Sequence, residues 1–251
     1  HGDTYPTRGA PGDRENGLLD DVGKPIPFLD RITQYVIADD STEWLMFLSG
    51  KLAASGISRQ NFDAVITSQK ELTPELKSRG LWLDKSPRMA TFYVGFNMED
   101  PVVGPNKKLR QALACAVDLP TWVKFYNDRQ LPAKGLLPPS IPGNGYDLPA
   151  PYTFELDRAR RLLTEAGYPN GLDPKTGRRL TLTIELPSAA DVEERQSVDL
   201  LASFWEKLGV ELRPGYNNWP EFLKKMERKQ CQLYRVGWVV DVPDAYYFLL
   251  M

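Results

Sequence analysis

The chain has 251 residues, which suggests one to two domains, and its 25% charged and 42% apolar residues are the ordinary balance of a soluble globular protein that needs no disulfide staples. Lys plus Arg (31) nearly cancels Asp plus Glu (33), leaving a formal charge of −2, so nucleic acid is not expected as a partner, and no apolar run approaches the roughly 18 residues of a membrane span. The single histidine, His1, stands at a chain end where an imidazole is poorly held, which argues against Ser-His-Asp, Cys-His and histidine-zinc chemistry.

Positions 1–27 carry Gly, Pro and Asp throughout with no periodicity, and read as an irregular loop segment lacking the basic-then-apolar layout of a signal peptide. Within it, Gly17 to Lys24 is one residue too long for a phosphate loop, and Pro25 replaces the required Ser or Thr. A first block spans 28–90. Ile32, Tyr35, Val36 and Ile37 predict a strand. Asp40-Ser-Thr-Glu43 has capping-box spacing and opens a short helix, Trp44 to Ser49, stopped by Gly50. Ser58 is placed to cap a helix through Phe62, Val65 and Ile66, and Thr73-Pro74 starts another that Gly80 stops.

A second block spans 91–237. Thr91 to Asn97 predicts an aromatic strand. Leu109, Ala112, Leu113 and Ala116 recur at one helix face. Asp118 and Pro120 start a short helix with Trp122, Val123, Phe125 and Tyr126, and Pro-rich coil follows from Leu131 to Tyr152. Ala159, Leu162, Leu163 and Ala166 make a helix ended by Gly167. Leu180, Leu182 and Ile184 alternate with polar residues as a half-buried strand. A long helix from Val192 to Leu208, a strand from Val210 to Arg213, a helix from Trp219 to Lys229 and a strand from Gln232 to Val236 complete an α/β alternation. Cys115 and Cys231 lack C-x-x-C spacing and read as two unpaired core thiols. The sequence breaks off inside the apolar run Tyr246 to Met251, so a piece of a longer polypeptide is expected.

Several segments of this sequence resemble those of one family. Asn106-Lys-Lys-Leu-Arg-Gln-Ala-Leu-Ala-Cys-Ala-Val-Asp118 and Phe154-Glu-Leu-Asp-Arg-Ala-Arg-Arg-Leu-Leu-Thr-Glu-Ala-Gly-Tyr-Pro169 are similar to two helix motifs of bacterial extracellular solute-binding proteins of family 5, the oligopeptide-, dipeptide- and nickel-binding components of ABC importers. Leu208-Gly-Val210 resembles that family's strand entry, and Arg235-Val-Gly-Trp-Val-Val-Asp-Val-Pro-Asp244 its ligand strand. Pro27 to Ile32 and Leu48 to Ala53 are similar to earlier family motifs, with Lys51 and Ala53 departing from the acidic residues usual there.

The resemblance implies an α/β, type II periplasmic-binding-protein-like fold: the C-terminal lobe (91–237) plus an incomplete part of the first lobe (28–90), with 238–251 leaving the ligand strand and starting back to the first lobe. It implies an extracytoplasmic binding component, periplasmic or extracellular and in some members a lipoprotein, that captures oligopeptides and delivers them to a membrane ABC permease. No cofactor, metal, nucleic acid or membrane insertion is implied, and no enzyme activity. The same frame carries oligosaccharides and nickel complexes, which stand as alternatives. A carboxylate hydrolase built on Asp241 and Asp244 is the alternative from another class.

By the same resemblance, Asp241 pairs with a ligand's α-amino group, the alternative being a cap of the Val-Pro-Asp turn. Trp238 and Trp219 form aromatic walls, or pack as core. Gly237 permits close backbone approach, so that a ligand adds to the strand edge. Arg235 receives a ligand carboxylate, or serves structurally on the opposite face. Tyr93 and Asn97, at alternating positions, face the cleft or belong to the lobe core and hinge.

Overall fold

In a computed structural model the described residues are 3–37, 39–144, 147–187 and 192–250. The backbone divides into two compact units, residues 1–38 and 39–251. In the first, a lone bridge joins Thr4 to Pro25 and turns fill 11–23. The strand expected around Ile32–Ile37 is not formed. Ile32 is 82% and Val36 99% exposed, and no ladder partner lies beside them among the described residues. A strand without a partner leaves its backbone groups and apolar side chains in water, so propensity alone does not hold it.

The second unit opens with three short helices. α1 (Asp40–Leu48) is capped by Asp39, whose carboxylate accepts from Thr42 N at 2.7 Å. The cap thus sits one residue before the expected box, and Glu43 is free to accept from Ser55 Oγ and Gly56 N instead. α2 (Arg59–Val65) and α3 (Pro74–Ser78) follow where helices are expected, though the side chains of Ser58 and Thr73 at their starts make no cap hydrogen bond. Their small core is Trp44, Val65, Ile66, Leu72 and Leu76.

The α/β layer contains β1 (Ala90–Phe96), α4 (Lys107–Cys115), α5 (Leu119–Phe125), α6 (Leu156–Glu165), β2 (Thr181–Leu186), α7 (Val192–Glu206), β3 (Glu211–Tyr216), α8 (Trp219–Glu227), β4 (Leu233–Val239) and the short α9 (Tyr246–Leu249). Its four strands are ordered β1-β4-β2-β3, with β1 antiparallel to β4 and the other pairs parallel. Parallel neighbours need crossovers. α7 carries the step from β2 to β3, and α8 the return from β3 past β2 to β4. The two steps run in opposite directions, so the right-handed rule sends their helices to opposite faces.

On the first face the predicted stripes meet. Leu109, Ala112, Leu113 and Ala116 of the α4 region, Leu182 and Ile184 of β2, and Val198 and Phe204 of α7 are all nearly or fully buried in one core. Trp205 buries its indole there and donates from Nε1 to Leu113 O at 3.1 Å. Backbone approaches backbone just beyond α7: Gly209, at φ +78°, has no room for a Cβ, which would lie 2.3 Å from Asn170 O. On the second face lies α8. A capping box between Asn218 and Glu221 starts it, and Lys225 ties it to Glu185 of β2 at 2.7 Å. The coil between α5 and α6 is pinned where Ile141 packs with Val240 and Phe248, and Phe248 is the buried residue of α9. Both cysteines are free thiols, Cys115 buried and Cys231 half-buried.

Candidate functional site

The second face of the sheet is only partly covered by α8, and the gap is a groove of about 690 Å³. Its floor follows from the β1–β4 register. Thr91 faces Trp238, Tyr93 faces Val236 and Gly95 faces Tyr234, so Tyr93, Tyr234, Val236 and Trp238 share this face. Tyr93 and Tyr234 meet edge to face with centroids 6.3 Å apart. Burial pushes both phenol groups above the ordinary tyrosine range. The other wall is α8, where Trp219 stacks on Phe222 with centroids 5.7 Å apart, and Leu223 and Met226 continue the apolar lining. Trp238 donates from Nε1 to Tyr247 O at 2.8 Å, which fixes its ring at the rim beside α9.

Five of the seven expected site residues therefore line one groove: Tyr93, Asn97, Trp219, Gly237 and Trp238. Their individual parts differ. Asn97 spends its amide donors on Lys229 O and Cys231 O, closing the turn before β4. A Cβ on Gly237 would lie 2.4 Å from the Phe92 ring, so the space a side chain would take there is filled from the facing strand. Gly95 makes the same arrangement with Tyr234. Both are cross-strand aromatic–glycine pairs.

The two charged residues lie apart from the groove. Arg235 is 6% exposed on the opposite face, among α5 and α7. Asp241 is exposed two residues past the end of β4, and no hydrogen bond or ion pair engages it among the described residues. Asp244 sits on the same turn and accepts from Tyr246 N, so these two carboxylates share one surface loop rather than facing across a cleft. β4 itself has one incomplete side. It pairs with β1 along its whole length, but with β2 only at Leu233 and Tyr234. From Arg235 to Val239 its β2 side has no ladder partner among the described residues. Sequence reasoning missed Phe222, Leu223 and Met226 as a groove wall. Their apolar spacing on a helix was legible, but not which sheet face would receive it.

A family model described as bacterial extracellular solute-binding proteins, family 5 Middle, matches residues 20–251. The chain belongs to this family. The glutathione-binding protein GsiB of Escherichia coli K12 is 33% identical over 148 residues, covering 58% of this chain and 26% of that protein. Heme-binding protein A of Haemophilus influenzae is 29% identical over 158 residues, covering 62% of this chain and 28% of that protein. The periplasmic binding protein DppA of Helicobacter pylori, solved with the peptide STSA, superposes with a TM-score of 0.71 at 22% identity, covering 91% of this chain and 41% of that one. The expected fold, the type II periplasmic-binding-protein class, is thus the observed one. The matched stretches cover less than a third of the length of these curated relatives, which are binding proteins by name. Among the described residues no helix is long and apolar enough to cross a membrane.

Proposed function

We propose that this chain forms one wall of the ligand cleft in an extracytoplasmic solute-binding component that captures short peptides and presents them to a membrane ABC permease. The observation that carries this reading is the half-paired β4. Its open side runs from Arg235 to Val239 and leads to an unengaged carboxylate, Asp241, just past the carboxyl end of the strand. In open α/β sheets whose crossover direction reverses, ligands bind in the crevice outside the carboxyl ends of strands. A peptide has the backbone donors and acceptors that an unpaired strand side lacks, and adds to it as a further strand. Its α-ammonium then meets Asp241 as a charge-assisted pair. Trp238 and Trp219, 36% and 51% exposed, offer flat apolar surface that tolerates varied side chains. Tyr93 and the backbone of Gly237 complete this wall, and Asn97 holds its far end in shape. The reading involves binding and transfer without bond making, and needs no cofactor.

The names of the relatives include glutathione and haem as well as peptide, so ligand class is the point to test. Native mass spectrometry on the full-length protein, purified without added ligand, is expected to show masses of two to five residues that fragment as peptides. A co-purified oligosaccharide or tetrapyrrole would overturn the peptide assignment and leave the carrier role standing.

A further inference from the structure

The guanidinium of Arg235 lies behind the wall. Arg235 alternates along β4 with Tyr234 and Val236, which face the groove, so it points to the opposite face. There it meets two helices that are far away in sequence. Nη1 pairs with Glu194 Oε1 of α7 at 2.7 Å and donates to Ser197 Oγ of the same helix. Nη2 donates to Tyr126 OH, just after α5, at 2.9 Å, and the guanidinium lies over the Trp122 ring at 5.4 Å. The side chains of Arg235 and Glu194 are 8% and 20% exposed.

We infer that Arg235 is a positioning residue: it fixes the ligand-facing run of β4 from behind and does not itself receive a ligand carboxylate. This rests on the cleft reading above and adds which end of the ligand this wall reads. The physical case is one of prior commitment. Breaking a buried pair by withdrawing one partner leaves the other charge uncompensated, so a ligand carboxylate would have to outbid Glu194, Ser197 and Tyr126 together. It would also have to reach the guanidinium from the far side of the strand. The tie lies where it is needed. β2 stops supporting β4 after Tyr234, so Arg235 is the first residue of the half-paired run that ends at Asp241. Anchored to α5 and α7, that run keeps the straightness that the missing ladder would otherwise supply. Selectivity at this wall then falls on the ligand's amine, and its carboxyl end is left unread by Arg235.

The test compares Arg235→Met, Arg235→Lys and Tyr126→Phe with wild type in the full-length protein. Tyr126→Phe removes a single hydrogen bond and serves if either Arg235 change prevents folding. The first readout is affinity for the peptide STSA and for its C-terminal amide. A positioning role predicts that every variant weakens acid and amide by the same factor, about tenfold or more for Arg235→Met and two- to fivefold for Tyr126→Phe, with partial rescue in Arg235→Lys. An Arg235→Met variant that loses the acid tenfold more than the amide identifies a direct carboxylate contact and overturns the inference. The second readout, amide hydrogen exchange without ligand, separates this inference from the peptide reading. Exchange at residues 236–241 is expected to rise at least tenfold more than in β2 and β3. Uniform acceleration across the sheet, or none, overturns the inference even if STSA does not bind.

Discussion

Replacing Asp241 by Asn keeps the size and shape of the side chain and removes its charge. In this chain Asp241 is exposed and unengaged, so a ligand ammonium beside it would be a solvent-exposed pair worth at most about 1 kcal/mol, less than tenfold in affinity. On the cleft reading proposed above, a facing lobe that closes over the site excludes water, and truncating one partner of a desolvated pair costs about 2–5 kcal/mol, roughly 30-fold to several thousand-fold. The full-length protein should therefore lose far more affinity for STSA on Asp241→Asn than the isolated 251-residue chain does. Calorimetry with STSA and with N-acetyl-STSA, on wild type and variant, closes a double-mutant cycle. The acetylated peptide has no ammonium, so it should bind wild type weakly and lose little more in the variant. Equal losses for the free and acetylated peptides would refute the reasoning and make Asp241 a turn residue.

Two further predictions concern stability. Gly209→Ala forces a side chain into the left-handed region and puts its Cβ 2.3 Å from the backbone oxygen of Asn170, so a loss of about 2–4 kcal/mol is expected in urea unfolding; the same change at Gly50, which also has positive φ but nothing within 4 Å, should cost less. The carboxyl groups of Glu71, Glu155 and Glu211 are held below the ordinary range, chiefly by hydrogen bonds from Lys85, Thr153 and Arg213 respectively. Their lowered folded values mean stability that is present above the usual carboxylate range, near pH ~4.3, and is lost as pH falls through the folded values. Thermal melts should be level near neutrality and decline below about pH 4.5; a melting temperature that rises on acidification would contradict this.

Much of the frame was legible from local chemistry. The helix stripes of α4 and α6 and the alternation in β2 pointed to residues that enter the core, because those patterns have no comparably buried alternative. Asp118 named its helix start, because a cap needs only neighbours in sequence. The family resemblance added the lobe and the candidate site residues. The strand expected at Ile32–Ile37 shows where local pattern stops: side chains favour extension, but a ladder partner must come from elsewhere in the chain. The same limit applies at the site. That Phe92 fills the space at Gly237 depends on a β1–β4 register spanning some 145 positions, and that Arg235 meets Glu194 and Tyr126 depends on how two helices cross one sheet face. That α8 faces Tyr93 across an open groove follows from the reversal of crossover direction. The sequence by itself determined most elements of the α/β layer and their apolar faces, because these are set within a few residues. Only the tertiary structure decided which charges are spent inside and which stay open to a ligand, because the distances that matter join residues remote in the chain.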